Sequence, residues 1–435
     1  MHTTATEEVV GICRDLLRID TTNTGDQRTT VGERVAAEYV AAKLDEAGVA
    51  VELHESAPRR ANLVARIPGT DRTRGALLVH GHLDVVPADP SEWSVHPFSG
   101  EEKDGYLWGR GAIDMKDFDA MILAVVRDWR RTGYVPPRDI VLAYTADEEA
   151  GMEYGSQFLV KNHRDLFDGC TEAIGEVGGY SYTVNDDLRL YLVQTAEKGL
   201  DWLRLHASGR PGHGSFIHDD NAVTALAEAV ARVGRHRFPV VVTPTVRSFL
   251  EQVGDALQID LDPDDPELAV AKLGPIANLI GATIRNTANP TRLEAGYKDN
   301  VIPGKASATI DCRTLPGQAE SFLAELREVI GPDIRISHEH RQPAVETSFD
   351  GALVEAMGAA LRAEDPGART VPYLMSGGTD AKAFAALGIR CFGFAPLRLP
   401  PELNFASLFH GTDERVPVEG LEFGVRVLDR LLRTS

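Results

Sequence analysis

The sequence predicts an α/β protein, a mostly parallel sheet covered by helices on both faces, with a smaller α+β unit inserted into it. Three observations carry this reading. Strand-like and helix-like stretches alternate from the start to about Thr195, the pattern of a parallel sheet with crossover helices. After "QTAEKGL" the rhythm changes, and near Thr347 the alternation resumes. A chain of 435 residues also exceeds the span of one ordinary core, which points to two domains. The predicted boundaries are 1–196 and 345–435 for the larger domain and 197–344 for the insertion.

Taken in order, "MHTTATEEVVGICRDLLRID" reads as an amphipathic helix. "EYVAAKLDEAGV" repeats apolar residues at helical spacing, and "GALLVHGH" is a short apolar run of strand type. "DAMILAVVRDWRR" is helical again, and "DIVLAYTAD" is a further strand. In the insertion, a strand from Trp202 to Ala207 precedes a helix from Asn221 to Arg235. Strands between Thr283 and Cys312, a helix from Ala319 to Ile330 and a strand from Ile334 to His338 complete it. "LDPDDPELAV", acidic and broken by prolines, reads as a surface excursion. "GALVEAMGAALRAED", "FAALGIRCFGF" and "GLEFGVRVLDRLLR" return to the larger domain.

Composition narrows the function. Apolar residues make up 43% and charged residues 25%, and no window approaches the ~20 apolar residues of a membrane span. The formal charge of −20 disfavours nucleic acid, which needs a basic patch. The first residues lack the basic and then apolar pattern of a secretion signal. Cys13, Cys170, Cys312 and Cys391 form no CxxC pair, so neither a disulfide framework nor a thiolate zinc site is indicated. A cytoplasmic protein is expected.

The chemistry begins in "ALLVHGHLDVVP". A strand ending there puts His82 on the loop at its carboxyl end, where ligands of parallel sheets bind. Asp84 is then placed to accept the other ring N–H, the usual arrangement of a metal-ligating histidine. A hydrogen-bonded core histidine fits the pair equally well. Asp114 follows the glycine-rich "GRGAID" just before a helix, where it also suits an N-cap. Asp147, Glu148 and Glu149 end another strand as three adjacent carboxylates, which repel one another unless something positive sits between them. A cation is the simplest remedy. Glu176 follows a further apolar run, and His410 lies in "SLFHGTDERVP" before the last helix. Carboxylate and imidazole donors suit zinc, cobalt or manganese. Five donors exceed the three that one catalytic zinc uses and match two metals sharing a carboxylate. Glu148 is left over beside Glu149 as a general base.

"HGHLDVVP", "GRGAIDMKD", "TADEEAG", "FHGTDERV" and the inserted layout together resemble the M20 metallopeptidases, the group of acetylornithine deacetylase, succinyl-diaminopimelate desuccinylase, aminoacylase-1 and carboxypeptidases. The resemblance spans nearly the whole chain. It implies a catalytic domain holding two zinc ions and an inserted lid domain through which members often dimerise. By this likeness Asp114 bridges the ions, Glu149 and His410 complete one site, His82 and Glu176 the other, and Glu148 is the base. It also implies a cis peptide at Asp114–Met115. Glu176 stands in "GEVGG", similar to the carboxypeptidase S-like branch, whereas other branches carry Asp there.

In the insertion, "SGRPGHGSF" places His213 in a glycine-flanked turn; by the same resemblance such a histidine reaches the active site, often from a partner subunit, and bonds the carbonyl oxygen of the substrate. "DNVIPGKASATIDCRTLPG" resembles the substrate-contacting segment and gives Asn300 and Arg313. A guanidinium can fork onto a carboxylate, and a surface salt bridge is the plainer role for Arg313. "SGGTDAKAF" offers the backbone N–H groups of Gly378 and Thr379 to a carboxylate. Arg341 stands one residue off the pattern, and His338 and His340 read as surface residues. "FPVVVTPTVRSFLEQVG" suggests an apolar acyl pocket or interdomain packing. There is no GxSxG elbow, Walker loop, HExxH or strand-borne GxGxxG. The resulting expectation is a two-zinc enzyme that cleaves an N-acyl amino acid or dipeptide with a free carboxylate. Its rivals are a two-metal aminopeptidase and a non-catalytic binding protein on the same scaffold.

Overall fold

The computed structural model describes residues 4–273 and 277–435. The chain divides into two compact units. The first comprises the chain up to Thr195 with Phe349–Val371 and Thr379–Ser435, and the second Ala196–Ser348 with Pro372–Gly378.

In the first unit, four strands form the parallel centre of the sheet: Ile140–Thr145, Ala76–His82, Cys170–Gly175 and Arg390–Gly393. Arg60–Ile67 and Glu52–Ala57 extend one side and Leu188–Glu197 the other, all pairing antiparallel with their neighbours. Ala76–His82 is buried along its whole length, which is why it reads as a continuous apolar run rather than an alternation. Its residues still divide by face, because successive side chains of a strand point opposite ways. Leu77 and Val79 join the core beneath the helices Ala5–Leu17, Lys116–Thr132 and Val418–Thr434. Ala76 and Leu78 join a second core with Leu159, Phe167 and Phe384. Each such fully buried Leu contributes roughly 1.5–3 kcal/mol.

The helix ends follow from sequence. Ala5–Leu17 starts in a capping box, with the Thr4 hydroxyl accepting from the Glu7 N–H and the Glu7 carboxylate accepting from the Thr4 N–H. Lys116–Thr132 stops at Gly133, whose φ of 73° suits a residue without Cβ. A small antiparallel sheet of Glu101–Lys103, Tyr106–Trp108 and Arg415–Pro417 runs beside the centre. It brings the chain after His410 alongside the chain before Asp114.

The second unit has two layers. Its antiparallel sheet runs in the order Thr287–Ala295, Lys305–Thr314, Gly199–Ser208, Arg335–Gln342. Helices Ala222–Arg235 and Ala319–Ile330 cover one face, burying Leu226, Val233, Phe322 and Leu326 against Leu203, Leu205 and Ile310. The stretch Pro372–Gly378 also belongs here, and the Lys198 N–H donates to its Met375 carbonyl at 3.0 Å.

The proline-broken excursion is more ordered than the sequence suggests. Within it Asp265 caps a helix at Pro266–Lys272, and before it Thr243 caps another at Pro244–Leu257. Proline is well suited to the first helical turn, where its missing N–H costs nothing, so Thr-Pro and Asp-Pro start helices here instead of breaking them. The apolar side chains of "FPVVVTPTVRSFLEQVG" line up accordingly, and Val246, Phe249, Leu250 and Val253 are buried in packing.

Candidate metal centre

Three of the candidate ligands leave the carboxyl ends of adjacent parallel strands. His82 is the last residue of its strand, Glu149 lies four residues past Thr145, and Glu176 directly follows Gly175. The other two come from the loops tied together by the small sheet. Two groups result, His82, Asp114 and Glu176 in one and Asp114, Glu149 and His410 in the other. Asp114 is common to both. Its Oδ1 lies 3.1 Å from His82 Nε2 and its Oδ2 lies 3.2 Å from His410 Nε2. Glu176 Oε2 is 3.4 Å from His82 Nε2, and Glu149 Oε2 is 3.1 Å from His410 Nε2. The Asp114–Met115 peptide is cis.

These separations suit a cation. Ligands at about 2.0–2.2 Å around a tetrahedral ion sit about 3.3–3.6 Å from each other. Glu149 Oε1 and Glu176 Oε1 are buried without a hydrogen-bond partner, which is costly unless something positive faces them. Burial and the neighbouring Asp114 push the Glu149 carboxyl up, and burial pushes Glu176 up to about 8. Hydrogen bonds donated to Asp114 and Glu149 push His410 up to about 10. A divalent ion would supply positive charge between these groups on displacing their protons. The donor set fits two ions.

Glu148 stays outside both groups. Its Oε2 is 3.9 Å from His82 Nε2, and burial, followed by the charge of Glu176, raises its carboxyl well above the usual range. That places an acid with elevated pKa at the edge of the cage, the profile of a proton-transfer group.

Two expectations are corrected. The ring N–H of His82 faces the backbone carbonyl of Asp84, with Nδ1 3.0 Å from that oxygen and 3.6 Å from the carboxylate. The Asp84 carboxylate instead accepts the backbone N–H groups of Glu148 at 3.1 Å and Glu149 at 3.2 Å, so it holds the acid-bearing turn. Asp147 needs no cation, because Arg60 Nη2 donates to it at 2.7 Å.

Reasoning from sequence missed the supports. Glu414 is fully buried and accepts from Gly111 N–H at 3.0 Å, Ile113 N–H at 2.8 Å and Arg110 Nη1 at 2.7 Å. It anchors the loop that carries Asp114. Asp380 is buried between the hydroxyls of Thr145 and Ser156, and burial pushes its carboxyl up to about 6. An acid four residues from a ligand histidine, and one opening a helix after "SGGT", were the available signals.

Within the second unit, Gly212–His213 pairs with Val301–Ile302, and the Gly214 N–H donates to the Asn300 carbonyl at 2.9 Å, so His213 and Asn300 share one turn pair. His213 Nδ1 lies 2.7 Å from the Ser215 hydroxyl and 3.3 Å from the Ser215 backbone nitrogen. Arg313 forks onto Asp311 at 2.7 and 3.1 Å. The Thr379 hydroxyl caps the following helix by accepting from the Ala381 N–H, and Gly378 is half-buried. His338 is exposed and bonds Asp201 at 2.9 Å, while His340 lies against Trp202. No helix among the described residues is long and apolar enough to cross a membrane.

A cage of imidazoles and carboxylates at the carboxyl edge of a parallel sheet, with a spare acid beside it, defines a metal-dependent hydrolase. Residues 78–434 match the model of peptidase family M20/M25/M40, and the chain belongs to that family. It is a metal-dependent amidohydrolase. The human N-fatty-acyl-amino acid synthase/hydrolase PM20D1 is 29% identical over 388 residues, covering 85% of this chain and 76% of its own. Human aminoacylase-1 is 27% identical over 394 residues, covering 88% of this chain and 86% of its own. The M20 metallo-carboxypeptidase Sso-CP2 from Sulfolobus solfataricus shares the fold with a TM-score of 0.72 at 20% identity, over 98% of this chain and 99% of that one.

Proposed function

We propose that the protein hydrolyses the amide bond of an N-acyl amino acid or dipeptide bearing a free carboxylate, with two zinc ions held by His82, Asp114 and Glu176 and by Asp114, Glu149 and His410. The observation that carries this is the split of Asp114, one oxygen toward each imidazole. Bound there, the ions would lower the pKa of a water and polarise the scissile carbonyl. Glu148 takes the proton of the attacking water and hands it to the leaving nitrogen, a role worth about 10²–10⁴ in rate. Asp84 keeps Glu148 and Glu149 in place through their N–H groups. Nε2–H of His213 donates to the carbonyl oxygen as charge develops, and one such donor contributes about 2.7–4 kcal/mol.

Substrate recognition belongs to the same proposal. Asn300, Arg313 and the N–H groups of Gly378 and Thr379 receive the polar end of the substrate. Arg313 exchanges Asp311 for the substrate carboxylate. The names of PM20D1 and aminoacylase-1 support an N-acyl amino acid over a free peptide. A homodimer through the second unit and a cytoplasmic location complete the proposal; four free cysteines suit a reducing compartment. The test is metal analysis of purified protein and hydrolysis of matched N-acyl amino acids, N-acyl dipeptides and free dipeptides, with Glu148→Gln as control. Turnover of acylated substrates that falls at least about a hundredfold in Glu148→Gln is expected. Activity surviving that substitution, or cleavage confined to free amines, would refute the reading.

A further inference from the structure

A buried polar truss stands behind the turn that carries Glu148 and Glu149. Thr21–Asn23 lies beside Leu83–Val85, with the Thr21 hydroxyl donating to the Leu83 carbonyl at 2.7 Å and the Asn23 N–H to the Val85 carbonyl at 2.9 Å. The buried Asn23 amide donates twice, to Asp84 Oδ2 at 2.9 Å and to Asp147 Oδ1 at 3.0 Å. Its orientation is settled by the other end, where Oδ1 accepts from the Gly25 N–H at 3.0 Å and the Thr30 hydroxyl at 3.2 Å. Asp84 in turn accepts the N–H groups of Glu148 and Glu149. Asp147 sits at φ 64°, a conformation non-glycine residues adopt rarely. It is held there by Arg60 Nη2 at 2.7 Å and by the Tyr154 N–H at 3.0 Å. Arg60 also forks onto the fully buried Glu33 at 2.9 and 3.0 Å and lies 5.1 Å over the Tyr154 ring.

We infer that Asn23 and the Arg60–Glu33 pair are positioning residues for the reaction, bridging Asp84 and Asp147 so that Glu148 and Glu149 keep their places beside the cage. This rests on the reading of Glu148 as the base and Glu149 as a ligand. The physical reason is specific. Asp84 and Asp147 converge on Asn23 from two loops, and two carboxylates approach one another only where donors lie between them. Asn23 supplies both donors and Arg60 a further one. Removing them would free the turn to relax away from the cage without altering any group that touches substrate.

Asn23→Asp is the informative change, because it keeps the shape and the accepting Oδ1 but replaces both donors with an oxygen. Arg60→Lys keeps the charge but cannot fork across Glu33 and Asp147. Both are compared with the unaltered protein for kcat, KM, bound metal per chain and thermal unfolding, using the best N-acyl amino acid found above. In the folded, metal-loaded fraction, Asn23→Asp should lower kcat about 10–100-fold, the usual range for supports of metal ligands, while KM changes less than about twofold. Arg60→Lys should lower kcat in the same direction by a smaller factor, and it carries the test alone should Asn23→Asp fail to fold. A purely architectural role would lower the unfolding temperature and leave kcat per folded, loaded molecule intact, which overturns the inference, as does a change confined to KM. Loss in Glu148→Gln with neither truss variant affected overturns this inference alone. Activity persisting in Glu148→Gln overturns the functional reading instead.

Discussion

Replacing Glu414 with alanine separates support from chemistry at the Asp114 loop. The carboxylate of Glu414 is fully buried, pairs with Arg110 at 2.7 Å and accepts two N–H groups at 2.8 and 3.0 Å. Removing one partner of a buried ion pair costs about 3–5 kcal/mol, because the remaining charge is left uncompensated. Arg110 keeps a long contact to the His410 carbonyl at 3.4 Å and lies 5.2 Å over the Trp93 ring, which places the cost toward about 3 kcal/mol. The two N–H groups lose their acceptor and add to it, at about 1–3 kcal/mol for each that stays dry. A cost of at least about 3 kcal/mol is therefore expected by urea unfolding of the metal-free protein. Because Gly111 and Ile113 lead directly to Asp114, affinity for the added ion should also fall about 10–100-fold, measured by competition with a chelator. Glu414→Gln, which keeps one acceptor oxygen, should lie between the two. A loss below about 1 kcal/mol with unchanged metal affinity would refute the view that Glu414 anchors this loop.

Further outcomes follow from the same geometry. Asp114→Asn leaves one accepting oxygen where the proposed shared ligand uses two, so metal content should fall from the two ions proposed per chain to one or none, whereas Glu149→Gln should weaken one ion only; two tightly held ions in Asp114→Asn would refute the shared role. Asp380 gives a pH signature. Its folded carboxyl lies near about 6 against 3.8 when free, so the folded state holds the extra proton, and this contribution is present below about pH 4 and lost as pH rises through about 6. Asp380→Asn lacks that dependence, and its unfolding free energy relative to the parent should rise by about 2 kcal/mol between pH 4 and pH 6; a flat difference would contradict it. In the second unit, Phe322 is 1% exposed with its ring 4.8 Å from that of Phe238. Phe322→Ala should cost about 3–5 kcal/mol in that unit's unfolding while leaving metal content unchanged, and a joint loss of metal would show the units are not independent in this respect.

Some of this was legible in the chain alone because it depends on local order. The run Ala76–Val79 reads as a doubly covered strand, and the acids and histidines that follow strands read as groups at the ligand edge, since alternation and strand ends are properties of neighbouring residues. The helices Ala222–Arg235 and Ala319–Ile330 were visible for the same reason. Pro266–Lys272 was not, because the prolines of "LDPDDPELAV" suggest a broken surface excursion, whereas Pro266 just after Asp265 starts a helix.

What only the tertiary structure decided is which distant groups meet. Sequence spacing cannot say that Glu414 grips Gly111 and Ile113, that Arg60 and not an ion answers Asp147, or that Asn23 lies between Asp84 and Asp147. Those pairings depend on a fold that brings residues 61 to 303 positions apart to one edge. A buried carboxylate chooses its partner by what donor the fold delivers within hydrogen-bond reach. The kinds of chemistry were written in the residue types, and which of those groups meet was set by packing.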